Sequence, residues 1–173
     1  RKDTIALSKI ASDNNVDLSI INNVISYNKN RKKSLIKKIN HILGNDIKDM
    51  SVAVLGLSFK PGTDDMRESP ALDLIPSLVE NVKEIKVYDP IAMDEASKYI
   101  KDVYFAENIE DCIENVDVTI ILTEWSEFRT LSAQYLSKFM KGNIVVDFRN
   151  ALNPENFINK NITLHQIGRG PFN

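Results

Sequence analysis

The chain has 173 residues, 43% of them apolar and 27% charged, the balance of an ordinary globule with one domain, or one domain plus an appendage. A formal net charge of −2 argues against a broad basic surface for nucleic acid, and the single cysteine, Cys112, excludes an intramolecular disulfide. No apolar run approaches the roughly 20 residues that cross a bilayer, and with no signal peptide visible these features point to the cytoplasm.

The chain begins with Arg1 rather than Met, so it reads as a piece of a longer protein. Residues 1–14 form a helical pattern with Ile5, Ala6, Leu7 and Ile10 toward one side, broken at Asn14-Asn15. Asp17 is placed to cap a second helix. Its apolar residues are Leu18, Ile21, Val24, Ile25, Leu35, Ile36, Ile39, Ile42 and Leu43, at spacings near three and four. Gly44 is a suitable stop. A helix over 17–43 is about 40 Å long, more than one small domain needs. It reads as a connector that spans two domains or packs on a partner subunit. The alternative is two shorter helices broken near Asn28 to Asn30. The basic residues at 31–33 read as a solvated face.

From Asp46 onward strands alternate with helical patterns. Strands are expected over 52–57, 85–88, 103–105, 118–122, 144–148 and 162–167, and helices over 70–81, 93–100, 109–115, 127–140 and 154–159. Most of the strands are continuous apolar runs, which argues a parallel sheet covered on both faces. The fold class is therefore α/β: a doubly wound, mostly parallel sheet of about six strands, preceded by a long connecting helix. Pro76 should kink the first of the later helices or shift its start. Residues 45–50 are the candidate linker between 1–44 and a domain over 45–173.

The stretch 51–70 joins an apolar strand, a charged loop and a helix start. Gly56 ends the strand, Pro61-Gly62 marks a turn, and Ser69-Pro70 reads as an N-cap followed by Pro at the first helical position. Ligands of α/β sheets sit at the carboxyl ends of strands, and helix N-termini favour anions. Lys60, Arg67 and the helix start at Ser69 are thus candidates to hold phosphate. The equally weighted alternative is a solvated loop in which Asp64 and Asp65 pair locally. The stretch lacks both the dinucleotide fingerprint and the P-loop pattern. At later strand ends, Asp89 can bind a ribose or cap the next turn. Trp125 can stack on a base or cover the core. Arg149 can meet a phosphate or base, or form a surface ion pair. Neither His41 nor His165 sits in a metal or triad pattern, and Cys112 reads as core.

Five motifs carry a family resemblance. They are Gly-Leu-Ser-Phe-Lys-Pro-Gly-Thr-Asp-Asp-Met-Arg-Glu-Ser-Pro (56–70), Val-Tyr-Asp-Pro (87–90), Leu-Thr-Glu-Trp-Ser-Glu-Phe (122–128), Asp-Phe-Arg-Asn (147–150) and Ile-Gly-Arg-Gly (167–170). In order and spacing they resemble the C-terminal part of the UDP-glucose/GDP-mannose dehydrogenase family, with Thr-Glu-Trp and Ile-Gly-Arg leaning to the UDP-glucose branch. The resemblance implies a Rossmann-like UDP-binding domain over 45–173, preceded over 1–44 by the end of a central helical domain. It implies an NAD-dependent oxidation of UDP-glucose to UDP-glucuronate at the sugar C6, with a covalent Cys intermediate. Arg1-Lys2-Asp3-Thr4 resembles the tail of the family's Cys-x-Pro-Lys-Asp motif, which puts that Cys two residues before Arg1. By the same resemblance, Asp3 is a catalytic residue that positions or activates water, with Lys2 its neighbour. Phe59, Lys60 and Arg149 contact the UDP-sugar. Arg67 reaches the NAD, which is held mainly by a domain outside this chain. The family usually has Gly where Phe148 stands. The helix over 17–43 resembles the family's dimer-forming helix. The resemblance implies no nucleic-acid partner and no membrane, and a fragment inactive by itself. A UDP-N-acetylhexosamine 6-dehydrogenase is the alternative within the family. A non-catalytic α/β regulatory module is the alternative outside it, although a receiver-type module needs acidic residues where this chain has Gly56-Leu57-Ser58.

Overall fold

The structure, a computed structural model, describes residues 2–44 and 47–173, apart from the side chains of Lys2, Lys29, Lys32 and Lys33. The first two residues of the expected linker, at 45 and 46, lie outside the described residues. Two helices open the chain, α1 (Lys2–Asp13) and α2 (Ser19–Leu43). They are followed by six strands, β1 (Ser51–Leu55), β2 (Glu84–Tyr88), β3 (Tyr104–Phe105), β4 (Val118–Ile121), β5 (Ile144–Asp147) and β6 (Thr163–Gln166). Between the strands run α3 (Ala71–Val79), α4 (Met93–Ala96), α5 (Ile109–Ile113) and α6 (Ala133–Leu136).

The strands form one sheet in the order β3-β2-β1-β4-β5-β6, and every neighbouring pair is parallel. The expected α/β, doubly wound sheet is therefore present and wholly parallel in its strands; one antiparallel bridge, Leu164 to Phe172, lies beyond them. β1 is central and buried along its whole length. Its alternation sends Val52 and Val54 to one face and Ala53 and Leu55 to the other. The first face packs on α2, α3 and α4 through Leu35, Ile39, Leu74, Ile75, Leu78 and Ala96. The second packs on α5, α6 and two large side chains, Phe128 and Phe157.

The long helix is continuous from Ser19 to Leu43, not two helices broken near residue 29. Asp17 does not cap it: Leu18 is the N-cap residue, with no side-chain cap. Gly44 ends the helix with φ of +79°, its N–H donating to the Asn40 carbonyl. Only the second half is built into the core, through Leu35, Ile39 and Leu43, whereas Ile20, Val24 and Tyr27 are exposed. In α1 the expected apolar side faces outward as well. Ile5, Leu7 and Ile10 are exposed, and the small residues Ser8 and Ala11 turn inward, Ser8 bonding Asn22 of α2.

Three expected helices are much shorter. Over 93–100 only Met93–Ala96 is α-helical, with turn hydrogen bonds continuing to Ile100. Over 127–140 a 3₁₀ turn at Phe128–Thr130 gives way to extended Leu131 and Ser132 before α6. The Thr130 hydroxyl bonds the Glu127 carbonyl, and the Ser132 hydroxyl accepts from the Tyr135 N–H. These local bonds compete with a through-going helix. Over 154–159 only Pro154–Asn156 is helical, as a 3₁₀ turn. Pro76 sits on the exposed side of α3, which runs through it.

Candidate functional site

Every motif of the resemblance begins at, or just past, the carboxyl end of a strand. The parallel sheet brings those ends to one edge. β1 and β4 are neighbours there although the chain turns opposite ways from them, which is where a doubly wound sheet opens its crevice. Gly56 leaves β1 with φ of +90°, and its N–H donates to the Tyr88 carbonyl. A Cβ on Gly56 would stand 2.6 Å from the Thr123 Cβ, so β1 and β4 approach at a point only glycine allows. Thr123 fills this gap, its hydroxyl donating to the Ser58 carbonyl at 2.6 Å.

Asp89, at the end of β2, is buried and organises the loop after β1. Its Oδ2 accepts from the N–H groups of Leu57 and Ser58, the Ser58 hydroxyl and the Trp125 indole N–H. Its Oδ1 accepts from the N–H groups of Ile91 and Ala92. Burial pushes its pKa up, but the backbone donors at Ser58, Ala92, Ile91 and Leu57 outweigh burial and hold it below the ordinary value. Asp89 therefore caps the next turn, as one of its two sequence readings had it, and also ties three strand ends together. Trp125 is 9% exposed and belongs to the second core cluster, so it covers the core.

The loop itself closes through its own backbone. The Phe59 N–H donates to the Asp65 carbonyl at 2.9 Å, and buried Met66 pins the middle of the loop to the core. The Ser69 hydroxyl donates to the Leu57 carbonyl and accepts from the Ala71 N–H. The helix start at Ser69 is thus occupied in closing the loop. Phe59 and Lys60 project from its exposed tip, Phe59 being 48% exposed. Arg67 is held by Asp65 through two side-chain hydrogen bonds of 2.9 and 2.8 Å, Nε to Oδ1 and Nη2 to Oδ2. The Arg67 guanidinium and N–H draw the Asp65 pKa down to about 2. The local pairing weighed for Asp65 is present, while the Arg67 side chain stays 75% exposed. It borders an open cleft of about 370 Å³ lined by Thr63 to Arg67, Glu95 and Tyr99.

A second carboxylate does for β5 what Asp89 does for β2. Asp147 is fully buried and accepts from the N–H groups of Arg149 and Leu152 and from the Gln166 amide. Asn150, at φ of +52°, bonds both the N–H and the carbonyl of Ile167, fastening the turn after β5 to the end of β6. Phe148, where the family usually has Gly, packs into the first core cluster. On this frame Arg149 donates from Nε and Nη2 to the two carboxylate oxygens of Glu124, at the end of β4. The Arg149 bonds hold Glu124 below its ordinary pKa against some burial.

The structure thus places Phe59, Lys60, Arg67 and Arg149 along the carboxyl edge. Asp3 lies elsewhere, exposed in the first turn of α1, a helix that packs on α2. Lys2 starts the same helix, and its side chain lies outside the described residues. Cys112 is buried, with burial pushing its thiol up to about 12, so it is no nucleophile in this state. Among the described residues no cluster of His, Cys, Asp and Glu could hold a metal, and no helix is long and apolar enough to cross a membrane. Sequence reasoning missed Thr123, Glu124, Asp147 and Asn150. The signal available was a polar residue directly after each apolar strand, the position from which a side chain reaches neighbouring strand ends.

Comparison with known proteins agrees with this geometry. The family model described as "UDP-glucose/GDP-mannose dehydrogenase family, UDP binding domain" matches residues 53–154. The UDP-glucose 6-dehydrogenase of Rickettsia prowazekii is 38% identical over 157 residues, which is 89% of this chain and 36% of the relative. The chain therefore spans about a third of the length of the curated relatives it matches. Among solved structures, a UDP-glucose dehydrogenase from Pyrobaculum islandicum is similar with a TM-score of 0.72 and 30% identity, over 84% of this chain and 32% of that one. A UDP-D-ManNAc dehydrogenase from Pyrococcus horikoshii is similar with a TM-score of 0.70 and 26% identity, over 92% of this chain and 36% of that one.

Proposed function

Since the chain belongs to the UDP-glucose/GDP-mannose dehydrogenase family and carries its UDP-binding domain, we propose that its sheet edge holds the UDP part of a nucleotide sugar for an NAD-dependent UDP-glucose 6-dehydrogenase. One observation carries this reading: two cations, Lys60 and Arg149, stand on separate loops of the same edge, one loop fixed by buried Asp89 and the other by buried Asp147. A diphosphate offers several anionic oxygens, and cations on fixed loops bind it without ordering the loops first. Phe59 supplies an exposed aromatic face beside Lys60 for the base or sugar.

In this reading the substrate is UDP-glucose and the product UDP-glucuronate. Converting an alcohol to an acid removes two hydrides, which NAD accepts when bound. This chain fits a partial contact with that cofactor. Arg67 stands exposed at an open cleft of about 370 Å³, while Thr123 fills the space at Gly56 where a pyrophosphate would approach the backbone closely. Asp65 fixes the Arg67 guanidinium at the border of that cleft. Most of the cofactor site, and the nucleophilic Cys, are assigned to residues outside these 173, so the chain alone is expected not to turn over. Asp3, with Lys2 beside it, is assigned to position water at the reacting carbon. Residues 1–44 are assigned to the end of a central helical domain and 45–173 to the UDP-binding domain. The exposed Ile20, Val24 and Tyr27, on one side of α2, are assigned to a homodimer contact. A cytoplasmic location is proposed on the same family grounds.

The likeness to the P. horikoshii dehydrogenase favours a second reading, a UDP-N-acetylhexosamine substrate. An assay of the full-length protein separates the two. NADH formation with UDP-glucose, two per sugar, is expected. Turnover with UDP-N-acetylhexosamines alone would select the second reading, and turnover with neither would reject both.

A further inference from the structure

We propose that Glu124 is a positioning residue: it presents the Arg149 guanidinium to the phosphorylated ligand. The proposal rests on the reading of Arg149 as a ligand residue and assigns a role to its partner. The Arg149 backbone is anchored through its N–H to Asp147, itself fixed by Leu152 and Gln166. That anchor leaves a long, flexible side chain free to swing. Glu124 removes this freedom by taking the Nε and Nη2 edge with both carboxylate oxygens. A guanidinium has five N–H donors in a planar fork. Two are engaged by Glu124, so the remaining edge, Nη1 with the outer Nη2 hydrogen, is the one left for phosphate oxygens. The Arg149 side chain is 39% exposed, consistent with one edge covered and one open.

The carboxylate comes from the right place for this task. Glu124 follows β4, the strand paired with β5, and its neighbour Thr123 bonds the Ser58 carbonyl in the loop that presents Phe59 and Lys60. Arg149 is thus referenced to the same frame as Lys60, across strands β1, β4 and β5. The Glu124 backbone carbonyl also accepts from Arg129 Nε, so a second cation flanks the pair. Glu124 is half-buried and its carboxylate serves Arg149, so its loss should spare the core.

The opposite role, in which Glu124 competes with the ligand for Arg149, predicts the opposite sign. The test is a UDP titration of the full chain as wild type, Glu124→Gln, Arg149→Ala and the double variant. It is accompanied by melting curves and by the exchange rate of the Arg149 Nε–H resonance in NMR. Glu124→Gln is expected to weaken UDP binding roughly tenfold, the scale of coupling between residues in direct contact. It should also speed Nε–H exchange, with the melting temperature unchanged. The double variant should bind no worse than Arg149→Ala. Unchanged or tighter binding by Glu124→Gln, or additive losses in the double variant, overturns the positioning role. If Arg149→Ala itself leaves UDP binding intact, the ligand assignment of Arg149 has failed, and the proposal falls with it.

Discussion

Gly56 has φ of +90°, and a side chain there would meet the Thr123 Cβ at 2.6 Å. Gly56→Ala combines a strained backbone with a contact that β4 cannot yield, so a loss of at least about 3 kcal/mol is expected in urea unfolding. Asp89 is the opposite case, a charge that folding buries because donors surround it. Asp89→Asn puts an amide among those donors and is expected to cost about 3 kcal/mol at neutral pH. Its pH dependence has a definite sign. The folded-state pKa lies below the ordinary 3.8, so the stabilisation is fully present above that value and is lost as pH falls through the folded pKa. Unfolding measured from pH 6 down to pH 2 should therefore show a shallower acid loss in Asp89→Asn than in wild type. Only part of this was legible in the sequence. A carboxylate after an apolar strand reads as a cap, and the bonds to Ile91 and Ala92 are two and three residues away. The donors at Leu57, Ser58 and Trp125 lie 31 to 36 residues away, and only the sheet brings them to Asp89.

At the scale of elements, α2 behaves as two half-helices of different duty. Ile39 is fully buried against α3 and the sheet, whereas Ile20 is 79% exposed. Ile39→Ala is expected to destabilise by about 2–4 kcal/mol through the cavity it leaves, and Ile20→Ala by less than about 0.5 kcal/mol, read from denaturant midpoints. The free half carries the proposed dimer contact. The double variant Ile20→Glu with Val24→Glu should lower the mass in sedimentation to that of one chain while the far-ultraviolet spectrum holds; an unchanged mass would remove α2 from the dimer. The central strands β1, β4 and β5 were legible because each is a short run of mostly apolar residues. The helices over 127–140 and 154–159 were not. Apolar spacing there is nearly helical, but the Thr130 hydroxyl bonds back to Glu127 and Ser132 caps a fresh start at α6, which divides 127–140. The inward side of α1 was misread because small residues, not large apolar ones, nest against α2.

In the molecule as a whole, one parallel sheet places five motifs that are distant in sequence along a single edge. Parallel pairing followed from apolar runs separated by crossovers, but the order β3-β2-β1-β4-β5-β6 did not. It depends on which side of β1 each crossover lands, and β4 fits there because Thr123 meets a glycine. The chemistry of the edge was legible mainly as cations on loops: Lys60 and Arg149 were visible, Asp89 only as the cap of its own turn, and the role of Asp147 not at all. In the proposed function this edge binds UDP through those two cations. Calorimetric titration of UDP into the full chain, compared with Lys60→Ala, tests it most directly. Saturable binding of one UDP per chain is expected, weakened roughly tenfold or more by Lys60→Ala, the scale of one lost charge-assisted contact. The absence of heat at millimolar UDP, or equal affinity in Lys60→Ala, would contradict it.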